Sequence, residues 1–163
     1  YSATVDFARL NCKGYRLHTE AEWEYATRAG TKTAYLIGSN IGDGGQEVCE
    51  DDPLGILLPE AAWYSYNSDW TTHPVGQKAA NPFGLYDVHG NVSEWVYDWF
   101  DNYDSFCAEG CEDPRGPDEG SYRVNRGGSW RNDAGYVRAA DRGYVDPGSR
   151  YDPLGFRVAR SVR

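Results

Sequence analysis

The segment RGGSWRNDAGYVRAADRGYVDPGSRYDPLGFR, from Arg126 to Arg157, has neither the 3.6-residue period of a helix nor the alternation of a strand. Its ends read as framework: Gly127-Gly128-Ser129-Trp130 in front and Leu154-Gly155-Phe156-Arg157 behind. The middle mixes Asp, Gly, Tyr, Arg, Ser and Pro. The whole chain leans the same way, with six Trp, thirteen Tyr and five Phe beside 19 Gly and 8 Pro. That composition predicts a loop-rich fold with short strands. At 163 residues one domain with its own core is expected.

One helix stands out. Thr19 is a good N-cap with Glu22 three residues on, a capping box. Glu20, Glu22 and Glu24 suit the positive end of the helix dipole and Arg28 the negative end. Gly30 supplies the stop, and Trp23, Tyr25 and Ala26 offer bulk to a core. Residues 1–14 read as an extended edge and a turn. Residues 31–62 read as a long surface loop. Trp63–Tyr66 suggests a short strand. Glu94–Phe100 alternates and is expected to be a strand buried on at least one face. Residues 101–121 read as loop, and Tyr122–Arg126 and Phe156–Ala159 as strands.

The net charge of -9 argues against nucleic acid or an anionic membrane as partner. The seven Arg after Trp130 are dispersed among four Asp, which would repel phosphate. No apolar run approaches the roughly 20 residues that span a bilayer. No signal-peptide pattern stands at Tyr1. The chain has no Met, so it is expected to be part of something longer. Of four Cys, Cys107 and Cys111 could form half a metal site or a small disulfide loop. Zinc would need a second pair or His partners, so free or bridged Cys is the reading adopted, with Cys12 and Cys49 unassigned.

Two segments could carry chemistry. In GLYDVHGNVSEW, Gly84–Trp95, Asp87 and Glu94 are hard oxygen donors around a His89-Gly90-Asn91 turn. Calcium takes carboxylates and carbonyls on such a loop. Equally, Asp87 and Asn91 could satisfy turn amides while Glu94 is solvated. The second segment is 126–157. It has Ser129 and Ser149 but no His or Cys to activate a nucleophile. All ten Glu, three Lys, two Gln and six Trp lie at or before Trp130, and none follows.

These motifs resemble a known family. Tyr15–Ala26, YRLHTEAEWEYA, is similar to the RLPTEAEWEYA signature of the formylglycine-generating enzyme (sulfatase-modifying factor) family, with His18 where Pro is usual. Asn81–Trp99 resembles its GLYDMxGNVWEW segment, with Ser93 for Trp. Arg126–Trp130 and Gly155–Arg157 match its RGGSW…GFR frame. The resemblance implies an α+β, irregular, loop-rich C-type lectin fold of the formylglycine-generating enzyme type. It covers residue 15 onward within a single domain, 1–163, whose N-terminal part would be missing. It implies a calcium site made by Asp87, the carbonyls of Gly90 and Val92, and Glu94. The enzymes use a copper-binding Cys pair just after GGS. Here WRNDAGYVR follows, with Asn132 at the first Cys position, so no catalytic residue and no copper are expected.

The frame also resembles the variable proteins of diversity-generating retroelements. In these, adenine randomisation of Asn codons cannot produce Lys, Glu, Gln, Met or Trp, the types absent after Trp130. The matching slots are Arg131, Asn132, Asp133, Tyr136, Asp141, Gly143, Tyr144, Val145, Asp146, Ser149, Tyr151, Asp152 and Pro153. All are writable from such codons. Tyr with small polar residues is also paratope chemistry. The resemblance therefore implies a non-catalytic protein that binds a protein or surface glycan through residues 131–153. Trp130, Arg138, Arg142, Arg150 and Phe156 would be fixed anchors. Display at a cell surface or on a phage or virion, through a segment before Tyr1, is compatible with this. The alternatives are an oxidase acting through other residues and an accessory domain with a fixed partner.

Overall fold

A computed structural model describes residues 14–36, 58–107 and 111–160. The readings of residues 1–13, of Cys12 and Cys49, and of 37–57 lie outside these. Helix α1, Glu20–Arg28, has the expected Thr19 cap and both arms of the capping box. It ends at Ala29 in the left-handed region. Trp23 turns inward at 2% exposure, but Tyr25 is 71% exposed and lies against Phe83 at 5.7 Å rather than in the core.

Two sheets frame the loops. β1 (Tyr15–Leu17) pairs antiparallel with β6 (Val158–Arg160), joining the two ends of the described chain. The second sheet has the order β4-β3-β2-β5, from Gly143–Val145, Arg123–Arg126, Ser93–Trp99 and Leu154–Phe156. β2 pairs antiparallel with β3 and parallel with β5, and β3 pairs antiparallel with β4. β2 buries Glu94, Trp95, Val96 and Asp98, so both of its faces are partly covered. Segment 126–157 thus leaves the sheet at β3, returns as one edge strand, and returns again as the other.

Four expectations need correcting. Tyr35, Leu36, Leu58, Ala61 and Ala62 are buried, so the described parts of 31–62 contribute to the core and include a short helix α2, Leu58–Ala61. Trp63–Tyr66 is no strand: Trp63 makes one isolated bridge to Gly90 and the chain turns at Ser65. Residues 101–121 include helix α3, Tyr103–Cys107, closed by a Cys107–Cys111 disulfide. Phe156 is 68% exposed and anchors nothing inward. Only the first of these is a matter of tertiary burial overriding a local reading that lacked periodicity.

Charge completes the core. Arg126 is 1% exposed. It reaches Glu24, the Asp141 carbonyl and, at 2.9 Å, the Ala139 carbonyl, with its guanidinium 5.1 Å from the Trp23 ring. Glu20, 4% exposed, lies 3.4 Å from Arg126 and takes a two-pronged bond from Arg142 at 2.6 and 2.8 Å. Arg142 also donates to the Asp101 carbonyl at 2.8 Å. α1, β3, Asp101 and residues 139–142 therefore meet on one buried ion network. Breaking such a network by removing one partner costs about 3–5 kcal/mol. Arg126→Met is expected to lose about that much in urea unfolding, and a loss below about 1 kcal/mol would contradict the assignment.

Candidate functional site

The framework residues at the head of segment 126–157 are set by close approach. A Cβ on Gly128, φ 64°, would stand 2.6 Å from the Tyr136 carbonyl oxygen and 2.7 Å from Val137 Cγ1. Only Gly lets the 127–129 turn press against residues 136–137. Ser129 is buried, and its N–H and Oγ both donate to Asn132 Oδ1, at 3.0 and 2.6 Å. Val137 and Ala139 turn fully inward, and the Ala139 N–H donates to the Ala34 carbonyl at 2.8 Å. Alternate residues of 131–141 are thereby free to face out.

The predicted recognition residues divide accordingly. Arg131, Asp133, Tyr136, Tyr144, Asp146, Tyr151 and Asp152 are exposed, with the three Tyr between 53% and 57%. Asn132, Asp141, Gly143, Val145, Ser149 and Pro153 are half-buried. Asn132 holds the Ser129 turn. Asp141 faces Arg138 at 3.6 Å, and burial raises its pKa. Gly143 sits opposite Asn125, whose Oδ1 would be 2.3 Å from an added Cβ, so a larger residue there must displace that amide. Tyr144 packs on Phe100 at 4.3 Å and Tyr122 at 5.4 Å, with part of its ring outward. Residues 146–153 link β4 to β5, the two edges of the four-stranded sheet, and so run across its end. Of the predicted anchors, Arg142 is firmly inside. Arg138 donates to the Gly135 carbonyl at 2.6 Å but its side chain is 47% exposed, and Arg150 is exposed. Arg126 and Glu20 are the stronger anchors. Their pairing does not show in sequence, because their partners are 102 and 122 residues away.

The 87–94 turn is equally specific. Asp87, Gly90 and Asn91 have φ of 56°, 74° and 60°. A Cβ on Gly90 would lie 2.0 Å from the Trp63 carbonyl oxygen. Asp87 Oδ2 accepts the Gly76 N–H at 2.7 Å, while its Oδ1 is buried with no hydrogen-bond partner among the described residues. Among those residues the Gly90 and Val92 carbonyls also take no backbone donor. Arg157 joins the two ends of the turn, donating to the Tyr86 carbonyl and to Glu94 at 2.8 and 2.7 Å. Trp23 Nε1 donates to Glu94 as well, at 2.7 Å. Glu94 is thus no solvated carboxylate; it is 6% exposed. A buried carboxylate oxygen without a partner is the chemistry of a hard-cation ligand. Among the described residues no three His, Cys, Asp or Glu side chains converge on a point, so backbone oxygens would have to complete the set.

A separate groove of about 980 Å³ runs between α1, β2 and residues 113–118, lined in part by Arg16, Tyr97, Trp99 and Arg123. None of the predicted recognition residues lines it. Beneath its end Asp98 is 3% exposed and accepts the Glu20 N–H at 2.7 Å.

Short strands, one capped helix and a long irregular segment tied down by buried arginines define an α+β domain of the C-type lectin class. The comparisons agree. Residues 1–162 match the sulfatase-modifying factor enzyme 1-like domain, and the chain belongs to that family. It is 38% identical to the formylglycine-generating enzyme of Streptomyces coelicolor over 154 residues, 91% of this chain and 48% of the enzyme. It is 39% identical to serine/threonine-protein kinase pkn1 of Chlamydia caviae over 153 residues, 92% of this chain but 22% of that protein. The solved Treponema denticola variable protein 1 is similar with TM-score 0.76 and 38% identity, covering 92% of this chain and 49% of that one. The chain thus spans about half the length of the enzyme and the variable protein, and less of the kinase.

Asp98 gives a pH test of the buried network. Burial is the main cause that pushes its carboxyl up to about 7; the hydrogen bond from the Glu20 N–H opposes this, the Glu20 charge adds to it, and Arg123 and Arg142 oppose it. The folded state therefore holds a proton that the unfolded chain releases near pH 4. This contribution to stability is full below that pH and is lost as pH rises through 7. Asp98→Asn keeps an acceptor for Glu20. The melting temperature of the parent should fall relative to the variant between pH 4 and 8; parallel profiles would contradict the assignment.

Proposed function

We propose that this domain is a non-catalytic recognition protein of the variable type, binding a ligand through the exposed residues of 131–153. The observation that carries the reading is the division of labour in that segment. Its inward positions are fixed by Gly128, Val137, Ala139 and Arg142, while Arg131, Asp133, Tyr136, Asp146, Tyr151 and Asp152 face solvent. A recognition surface wants rigid backbone under adaptable polar and Tyr side chains. The similarity to a solved variable protein supports the same reading.

The family's enzymes make an oxidase the second reading. Against it, WRNDAGYVR after the GGS turn contains no Cys, and Asn132 spends its side chain on Ser129. Cys107, at the end of α3, is bridged to Cys111. We further propose that calcium is held by Asp87, the carbonyls of Gly90 and Val92, and Glu94, as a structural ion beneath the RGGSW frame. The orphaned Asp87 Oδ1 supports it.

Three outcomes are expected. A library randomised at Arg131, Asp133, Tyr136, Tyr144, Tyr151 and Asp152, displayed on phage and panned on lysozyme, should yield binders that melt near the parent. Failure to enrich any clone would contradict the recognition reading. A Cys-containing peptide incubated with the protein and copper should gain no aldehyde, and turnover would favour the oxidase. Chelation should lower the melting point in the parent but not in Asp87→Ala; at calcium 100-fold above Kd the ion adds about 2.7 kcal/mol. An unchanged melting point in the parent would remove calcium from the account.

A further inference from the structure

The turn from Trp63 to His73 borders the recognition segment. The Ser65 N–H donates to the Asn132 carbonyl at 3.0 Å and Ser65 Oγ to Asp133 Oδ1 at 2.9 Å. Ser68 Oγ donates to the Trp130 carbonyl at 2.6 Å. Trp70, on this turn, meets Trp130 edge to face at 6.5 Å, and the Arg131 guanidinium lies 5.7 Å from the Trp130 ring.

Trp70 is nevertheless 65% exposed, and Tyr66 on the same turn is 62% exposed. A large apolar ring left in water beside a recognition surface is a feature that folding alone does not require. Its backbone is also unusual. Asp69 and Trp70 are consecutive non-glycine residues in the left-handed region, at φ 52° and 58°. Bulky residues avoid that region, and such strain gathers at binding sites. The bonds from Ser65 and Ser68 fix the turn, so the indole is presented on a rigid support.

We propose that Trp70 is a fixed aromatic anchor of the recognition face, receiving an apolar side chain of a protein partner while residues 131–153 select which partner binds. The inference rests on the recognition reading above. Trp is among the types missing after Trp130. A face drawn from 131–153 alone therefore lacks the residue type most enriched at interface hot spots. Trp70 supplies it from outside the segment. The neighbouring polar groups favour a protein over a sugar. Asp133 Oδ1 is taken by Ser65, Asn132 Oδ1 by Ser129, and Asn91 Oδ1 by the His73 N–H at 3.0 Å. These acceptors are committed internally, so next to Trp70 the exposed ring of Tyr66 offers apolar contact area.

The test uses clones selected on lysozyme from the library above. Trp70→Ala should weaken lysozyme binding at least tenfold in most independent clones, with the melting temperature preserved. Trp70→Asn, a residue that tolerates left-handed backbone well, should show the same loss and keeps the test valid if the Ala variant folds poorly. Unchanged affinity in both variants would overturn the anchor while leaving the recognition reading standing. A library that yields no binder on either lysozyme or mannan would defeat both. Enrichment on immobilised mannan but not lysozyme, lost on Trp70→Ala, would overturn the assignment to a protein partner.

Discussion

The buried contact between Arg126, Glu20 and Arg142 is the constraint on which the remaining structure depends. One carboxylate at the first turn of α1 takes two bonds from Arg142 and lies 3.4 Å from Arg126. Through those arginines it fixes residues 139–142, β3 and the Asp101 carbonyl. A domain with three-residue strands has few ladder bonds to define its shape. Charge-assisted bonds supply the missing specification, because each is directional and costly to leave unmade.

A second hub repeats the logic at the other end of the segment. Glu94 collects Trp23 and Arg157, and Arg157 in turn holds the Tyr86 carbonyl. The RGGSW and LGFR frames are therefore each closed by an arginine directed inward. Between them the backbone is positioned by Gly128, Ser129, Val137 and Ala139, all buried or tightly packed. Exposed side chains on such a path can change identity without moving the path. This separation connects the irregular fold to recognition.

Much of this was legible in sequence, for local reasons. The α1 cap follows from capping chemistry and appears with the expected residues, and the strand expected from alternation at 94–100 appears one residue earlier, at Ser93–Trp99. The RGGSW…GFR frame located the two clamps. What escaped was set by distance. Leu36 and Leu58 read as loop because their burial comes from Tyr64, Val88 and Val137, not from a local period. Phe156 read as an anchor because apolar residues in frames are usually inside, yet on the edge strand β5 its ring is 68% exposed although its paired residue Trp95 is buried. Trp70 drew no attention, since a single Trp in a Ser-Asp-Trp-Thr turn carries no periodic signal and only its packing on Trp130 gives it meaning.

The central claim is that inward contacts, not exposed side chains, set the course of residues 131–153. The most direct measurement is the urea unfolding of one variant in which Arg131, Asp133, Tyr136, Asp146, Tyr151 and Asp152 are all changed to Ser. Isolated surface substitutions each stay within about 0.5 kcal/mol. The account predicts a single cooperative transition with a total loss of no more than about 3 kcal/mol. A broad, non-cooperative transition, or a loss well beyond that, would show that the surface itself holds the fold.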